Sequence, residues 1–149
     1  MIAEGMDSEG EQIIRSVRER YNGENRNPWN EIECGSNYAR SMASFALLPI
    51  YAGLRFDMTR GMLGFSPLFG EGRFLFSVGG SWGTAAITAD SMTLEILGEP
   101  IKLSLLLLPE GKSAAALTVD GKSTEFTEDG GEIKFAAVSV STSLSVRLE

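Results

Sequence analysis

The side chains best suited to chemistry lie close together in this chain, between Asn27 and Arg40. This segment carries an indole at Trp29, carboxylates at Glu31 and Glu33, and the guanidinium of Arg40. Paired carboxylates are the usual means of cleaving a glycosidic bond, one serving as the acid and the other as the nucleophile or base. The positions of Glu31 and Glu33 relative to each other decide whether they can form such a pair.

The spacing of Glu31 and Glu33 argues against a catalytic pair. Residues two positions apart in an extended segment project to the same side, whereas an acid and a nucleophile must approach the sugar from opposite sides. A carboxylate can instead accept hydrogen bonds from sugar hydroxyls, while Arg40 donates to them. The same side chains also suit a structural ion pair between Arg40 and either glutamate, and the residues alone leave both uses open.

Trp29 and Glu33 are the weaker candidates for sugar binding. An indole face matches the apolar C–H face of a pyranose ring, so Trp29 suits stacking on a sugar. Anchoring the loop in a core is the more frequent use of a tryptophan, and the sequence favours it for Trp29. The leading substrate-binding candidates are therefore Glu31 and Arg40, followed by Trp29 and Glu33.

The composition of the 149-residue chain excludes several other kinds of chemistry. The absence of histidine removes every Ser-His and Cys-His nucleophile pair. Without histidine, and with a single cysteine, the chain is also poorly equipped for a transition-metal site. A net charge of −7 argues against binding nucleic acid, which needs clustered basic residues. We expect no metal, no cofactor and no nucleic-acid partner.

Neither a membrane span nor a signal peptide is visible in the sequence. The longest apolar run, Leu103 to Leu108, is too short to cross a bilayer. The segment from Met1 to Asp7 lacks a basic region followed by an apolar stretch. We therefore expect a soluble chain, cytoplasmic by default.

Two helices are predicted on either side of the candidate segment. The first covers residues 8–21, where apolar residues recur at helical spacing and Ser8 with Glu11 forms a possible capping box. The second covers residues 36–51, with a kink expected at Pro49 and an end at Gly53. The segment between them contains Asn27-Pro28 and has no period, which indicates an ordered loop.

After Arg55 the sequence becomes rich in glycine and in alternating or β-branched segments. Asp120-Gly121 and Asp129-Gly130-Gly131 are typical of hairpin turns, and the Gly79–Gly83 segment also predicts a turn, with Trp82 as a packing residue. This pattern indicates an antiparallel β-sandwich-like region, and the chain as a whole an α+β fold. The predicted strands are Arg73–Val78, Thr84–Ala89, Met92–Leu97, Ile101–Leu108, Ala114–Val119, Lys122–Phe126, Ile133–Val138 and Ser143–Leu148.

The candidate segment belongs to a longer order of residues that is also distinctive. Its three runs are Arg20-Tyr21-Asn22-Gly23, Arg26-Asn27-Pro28-Trp29-Asn30-Glu31-Ile32-Glu33-Cys34-Gly35 and Tyr38-Ala39-Arg40-Ser41-Met42-Ala43-Ser44. This order resembles glycoside hydrolase family 116, which includes the non-lysosomal glucosylceramidases (bile acid β-glucosidases) and prokaryotic β-glucosidases and β-xylosidases. The resemblance covers about residues 10–67, and residues 70–149 resemble, more weakly, the C-terminal β extensions of some bacterial members.

The resemblance implies a fold and a role for each part of the chain. Residues 1–54 would be the last helical hairpin of an (α/α)6 catalytic barrel, and residues 55–149 an antiparallel β extension. Glu31 and Arg40 would contact the hydroxyls of the glucose in subsite −1. The family's nucleophile and acid/base lie upstream, so the resemblance implies no catalytic residue in this chain.

The expected function is therefore that of a C-terminal part of a retaining β-glycosidase of the β-glucosidase or glucosylceramidase type. Its substrate would be a β-linked glucoside or xyloside, and its partner the remainder of the barrel. The isolated chain is expected to be inactive, because two helices cannot enclose a pocket. The alternative is a non-catalytic carbohydrate-binding or protein-interaction module, in which exposed apolar faces drive association, including self-association.

Overall fold

The computed structural model describes residues 1–27 and 42–149. The chain divides into two compact units, residues 1–50 and residues 51–149. The sequence places the corresponding boundary four residues later, after residue 54. The first unit is helical in the part described, and the second is built almost entirely of strands.

The first predicted helix is present as α1, Asp7–Arg20, but it begins differently from the prediction. A short 3-10 helix, Ile2–Glu4, ends at Gly5 in the left-handed conformation, and α1 begins two residues later with Met6 as its N-cap. Ser8 therefore lies inside the first turn, where its hydroxyl donates to Glu9 instead of capping the helix. The predicted capping box is wrong, and the acidic residues Asp7 and Glu9 of the first turn suit the helix dipole instead.

The second predicted helix is interrupted in the part that the structure describes. Helix α2 spans Met42–Phe45 and helix α3 spans Leu47–Tyr51, with a turn at Ala46 between them. Pro49 has no N–H to donate to the carbonyl of Phe45, and its ring crowds that carbonyl. The expected kink is therefore a break one turn before the proline. The predicted segment from 36 to 41 lies outside the described residues.

Eleven strands form the second unit, and all eight predicted segments are confirmed, with shifts at their ends. The predicted segment 122–126 is divided between two strands, and two three-residue strands near residue 60 were not predicted. The strands are β1 (Arg55–Asp57), β2 (Met62–Gly64), β3 (Gly72–Val78), β4 (Ser81–Ile87), β5 (Ser91–Ile96), β6 (Ile101–Leu107), β7 (Ala114–Val119), β8 (Lys122–Thr124), β9 (Phe126–Asp129), β10 (Glu132–Val140) and β11 (Ser143–Leu148).

These strands form two sheets. One sheet has five strands in the order β1-β2-β6-β10-β9, and the other has six in the order β3-β4-β5-β11-β7-β8. Every pairing is antiparallel except that of β2 with β6, which is parallel. The α+β class and the sandwich-like β region are thus confirmed, with one parallel pair that the sequence pattern did not indicate.

The two sheets share one apolar core. In the five-stranded sheet, Leu63, Leu106 and Ile133 lie in one cross-strand row and are fully buried. In the six-stranded sheet, Leu94 and Leu144 form a matching buried pair. All five belong to a single contiguous cluster, so the alternation of buried and exposed residues along each strand closes a core between the sheets.

Candidate functional site

The four predicted site residues fall in one segment of the chain. Trp29, Glu31, Glu33 and Arg40 all lie between residues 28 and 41, outside the described residues. Their roles as sugar-binding or loop-fixing side chains therefore stay predictions. The described residues include those that flank this segment, up to residue 27 and from residue 42 onward.

The N-terminal approach to the segment is a tight turn held by asparagine side chains. Oδ1 of Asn22 accepts hydrogen bonds from the backbone N–H groups of Glu24 at 3.0 Å and Asn25 at 2.9 Å. Nδ2 of Asn25 donates to the carbonyl of Glu19 at 3.0 Å, which satisfies one of the free carbonyls at the end of α1. Gly23 has a φ of 95°, so the sharp reversal after α1 is suited to glycine.

A shallow depression of about 490 Å³ lies beside this turn. It is lined by Ser16, Glu19, Arg20, Tyr21, Asn25 and Arg26. Two guanidinium groups, an amide and one carboxylate give it donors and acceptors for hydroxyl groups. It offers hydrogen bonds to a polar ligand but no pair of carboxylates for acid and base catalysis.

A second depression, of about 340 Å³, lies in the β unit. Its wall runs from Arg55 along Leu107–Lys112 and across Gly130–Glu132. Charged groups of both signs line it, and no predicted site residue contributes to it. The sequence reading did not indicate this depression, because its wall is assembled from three segments distant along the chain.

The most strongly displaced carboxyl pKa in the described structure belongs to Asp120. Backbone N–H groups of Ser143, Ser141 and Thr142 donate to its carboxylate, at 3.0, 2.9 and 2.8 Å, and hold its pKa far below the usual range. Asp120 has a φ of 47° in the hairpin turn between β7 and β8, followed by Gly121 with a φ of 78°. Two positive φ values fit a type I′ turn, so the predicted Asp120-Gly121 hairpin is confirmed.

The Asp120 carboxylate thus connects the β7–β8 hairpin to the turn between β10 and β11, which is a structural role.

Two other carboxyl groups also have lowered pKa values. Asp57 accepts a hydrogen bond from the Thr59 hydroxyl at 2.6 Å, which lowers the pKa of Asp57. The pKa of Glu9 is lowered by a backbone hydrogen bond and by a hydrogen bond from the Ser8 hydroxyl. A catalytic acid needs the opposite displacement, so these three groups do not supply one.

A polar and aromatic cluster lies on the outer face of the six-stranded sheet. Trp82 is 47% exposed, and its indole packs against the backbone at Gly98, where a Cβ would lie 2.4 Å from Cδ1. Nearby on the same face, the Glu95 carboxylate lies 3.4 Å from both Nη1 of Arg73 and Oγ1 of Thr84. Within the predicted segment Gly79–Gly83, the turn itself is Gly79-Gly80, between β3 and β4. Trp82 packs between elements as predicted, against Gly98 and outside the core.

The outward position of Trp82 could have been predicted from the sequence. Ser81, Gly83, Ala85 and Ile87 form one alternating set, and Ala85 and Ile87 are its apolar members. Because successive residues of a strand face opposite sides, Trp82 must face away from the core that Ala85 and Ile87 enter.

Two features are absent from the described ranges, 1–27 and 42–149. These ranges contain no group of three or more His, Cys, Asp or Glu side chains placed to hold a metal ion. None of their helices is long and apolar enough to cross a membrane. In comparisons with known proteins, no protein-family model matches the chain and no curated protein matches it significantly.

Proposed function

We propose that this chain is the C-terminal part of a retaining β-glycosidase of the β-glucosidase or glucosylceramidase type. In this proposal Glu31 and Arg40 bind the sugar hydroxyls, and the nucleophile and acid/base come from the remainder of the barrel. The observation that carries it is the order of residues from Arg20 to Ser44, which resembles glycoside hydrolase family 116. A long order of glycine, proline, tryptophan and charged residues is rarely repeated by chance.

The exposed apolar residues of the helical unit support this proposal. Ile13 and Val17, one turn apart on α1, are 51% and 52% exposed. Phe45 and Leu48, on either side of the break in the second helical segment, are 62% and 52% exposed. Helices of a globular protein normally bury such a stripe, so these faces suit packing against further helices of a barrel.

Complementation tests the proposal directly. The 149-residue chain is mixed or co-expressed with a polypeptide that supplies the upstream barrel and its carboxylates, and hydrolysis of an aryl β-glucoside is measured. We expect no hydrolysis by either piece alone and hydrolysis by the mixture. Activity of the 149-residue chain alone, or no activity in a mixture that demonstrably associates, would overturn the proposal.

Site variants in the reconstituted enzyme test the two binding residues. Glu31→Gln and Arg40→Met each remove a charged hydrogen bond, worth about 1.5–3 kcal/mol, so kcat/KM should fall roughly 10- to 150-fold. Glu24→Gln is the matched control, because Glu24 is an exposed carboxylate of the preceding turn. Equal kinetics for Glu31→Gln and Glu24→Gln would contradict the assignment of Glu31.

A second candidate function is a non-catalytic carbohydrate-binding or protein-interaction module. The half-exposed Trp82 favours it, because the sheet face that carries this indole also carries Arg73, Glu95 and Thr84, and so combines a stacking surface with hydrogen-bonding groups. Titration of the 149-residue chain with β-linked gluco-oligosaccharides, followed by tryptophan fluorescence, tests it. Binding that is abolished by Trp82→Ala would support a carbohydrate-binding module. An unchanged fluorescence signal during the titration would exclude carbohydrate binding at Trp82.

A further inference from the structure

The two sheets have four edge strands, and three of them are protected against pairing with another chain. Strands β1 and β9 end the five-stranded sheet, and β8 ends one side of the six-stranded sheet. These strands have only three, four and three residues and carry charges. Short length and charge are the usual protection of a sheet edge.

The fourth edge strand, β3, lacks this protection. Its sequence from Gly72 to Val78 contains two phenylalanines and a leucine, and Arg73 is its one charge. It pairs with β4 without a break in register over all seven residues, so no bulge bends it away. Among the described residues, the backbone of β3 makes its hydrogen bonds only with β4. A long, regular and apolar edge is a template for a further strand.

The side chains of β3 indicate what kind of strand fits beside it. Leu75, at the centre, is 47% exposed on the outer face. On the inner face Phe76 is buried, whereas Phe74 is only partly buried against the core. An added strand would therefore find an uncovered leucine on one face and an incompletely covered phenylalanine on the other.

We propose that β3 pairs with β3 of a second copy of this chain, antiparallel and about a two-fold axis at Leu75. In this register each Leu75 lies opposite its mate on the outer face. Phe74 lies opposite Phe76 of the second copy on the inner face, and Arg73 lies opposite Ser77. The strand is thus complementary to itself, as a two-fold interface requires. The result is a continuous sheet of twelve strands.

The local charges of β3 are compatible with a second copy of the same strand. The chain carries a net charge of −7, but β3 contains no acidic residue. In the proposed register the two Arg73 side chains lie near opposite ends of the pair, each facing an uncharged serine. Pairing therefore brings no like charges directly opposite each other, an arrangement that would destabilise a sheet. The inference is independent of the proposed glycosidase function.

Sedimentation equilibrium of the 149-residue chain tests the association. A single strand pair lies at the small end of protein interfaces, so we expect dimers at tens of micromolar and monomers after dilution. The mass should approach twice 16.1 kDa at high concentration. A chain that stays monomeric throughout this range would overturn the proposal.

Two variants distinguish this edge from other exposed apolar sites. Leu75→Lys places two ammonium groups opposite each other at the two-fold axis and should weaken dimerisation at least tenfold. Leu97→Lys is the matched control, because Leu97 is 50% exposed and lies outside β3. Loss of the dimer only in Leu75→Lys supports the inference. Loss only in Leu97→Lys, or in neither variant, contradicts it.

Cross-linking tests the register itself. In a Cys34→Ser background, Leu75→Cys puts two thiols directly opposite each other across the pair, within disulfide reach. Ser77→Cys is the control, because each new thiol then faces Arg73. Under a mild oxidant we expect covalent dimers of Leu75→Cys and at least tenfold fewer of Ser77→Cys. Equal yields would overturn the register about Leu75.

Discussion

The helical unit and the β unit differ in how they bury apolar surface. In the β unit one cluster joins both sheets, and Leu63, Leu94, Leu103 and Leu106 have no exposed surface. In the described part of the helical unit, Ile2 is the only large apolar side chain that is buried, while Ile13 and Val17 are half exposed. The strands, all between residues 55 and 148, pair with one another and make their own core, whereas the described helices need an apolar surface from elsewhere. The β unit is therefore expected to carry most of the stability of this chain.

The largest expected effect comes from Leu106→Ala. Leu106 lies between Leu63 and Ile133 in a fully buried row, so truncation leaves a cavity and costs about 2–5 kcal/mol. Ile13→Ala on α1 should change stability by less than about 0.5 kcal/mol, because the side chain is half exposed and alanine favours helix. Guanidinium unfolding followed by circular dichroism measures both. A loss above about 2 kcal/mol for Ile13→Ala would contradict the contrast between the two units.

Two glycines with positive φ give a second contrast between the units. Gly53 has a φ of 55°, and a Cβ there would lie 1.9 Å from the carbonyl oxygen of Ser66. Gly53→Ala should therefore cost about 2–4 kcal/mol, from backbone displacement and strain together. Gly23, with a φ of 95°, has open space around it, so Gly23→Ala should cost only about 1 kcal/mol. Thermal unfolding of both variants checks the difference, and equal losses would contradict it.

The Asp120 clamp should make part of the stability of the β unit depend on pH. Backbone N–H groups lower its pKa in the folded state, so the stabilisation is present above the unfolded pKa of about 4. It is lost as the pH falls through the folded pKa. Asp120→Asn should lower the free energy of unfolding by about 1–2 kcal/mol at pH 7. The loss is limited because solvent around the carboxylate screens its interactions.

The matched control for this clamp is Asp90→Asn, an exposed aspartate in the turn before β5. Unfolding curves of the wild type and both variants are recorded at pH 7 and pH 3. The deficit of Asp120→Asn should shrink at pH 3, while Asp90→Asn should follow the wild type at both. A deficit that does not change with pH would show that the carboxylate charge is not the cause.

The smallest expected effect is a gain in stability in Ser81→Ala. The Ser81 hydroxyl is buried in the β unit without a hydrogen-bond partner among the described residues. Removing an unsatisfied buried hydroxyl should raise the free energy of unfolding by about 1 kcal/mol. Ser77→Ala, on the exposed face of the neighbouring strand, should leave it unchanged. A loss of stability in Ser81→Ala would indicate a partner for this hydroxyl.

Prediction from the sequence was most successful where a residue pattern repeats. Alternation and turn residues predicted eight segments that all contain strands, and also the Asp120-Gly121 hairpin, because side-chain period and turn chemistry are local. The three-residue strands β1 and β2 were missed because they are too short to show a period. The capping box at Ser8 was wrong because the 3-10 helix and Gly5 start α1 earlier than the side chains alone indicate.

The candidate site was predictable only in part. The types and order of Trp29, Glu31, Glu33 and Arg40 predict sugar binding, and the described ranges, which stop at residue 27 and resume at residue 42, leave that prediction untested. The cluster around Trp82 was missed because Arg73, Thr84 and Glu95 come from three strands. Their proximity depends on the register between strands, which no single segment encodes.

Local sequence was enough to predict the α+β class, eight of the strand segments, the Asp120-Gly121 hairpin and the chemical character of the segment from Asn27 to Arg40. These properties follow from local side-chain types, spacing and backbone preferences. The parallel pairing of β2 with β6, the proximity of Arg73, Thr84 and Glu95, and the unprotected edge at β3 depend on the tertiary structure. Strand order and sheet edges result from packing distant segments around one core, so they become visible only when the whole sandwich is assembled.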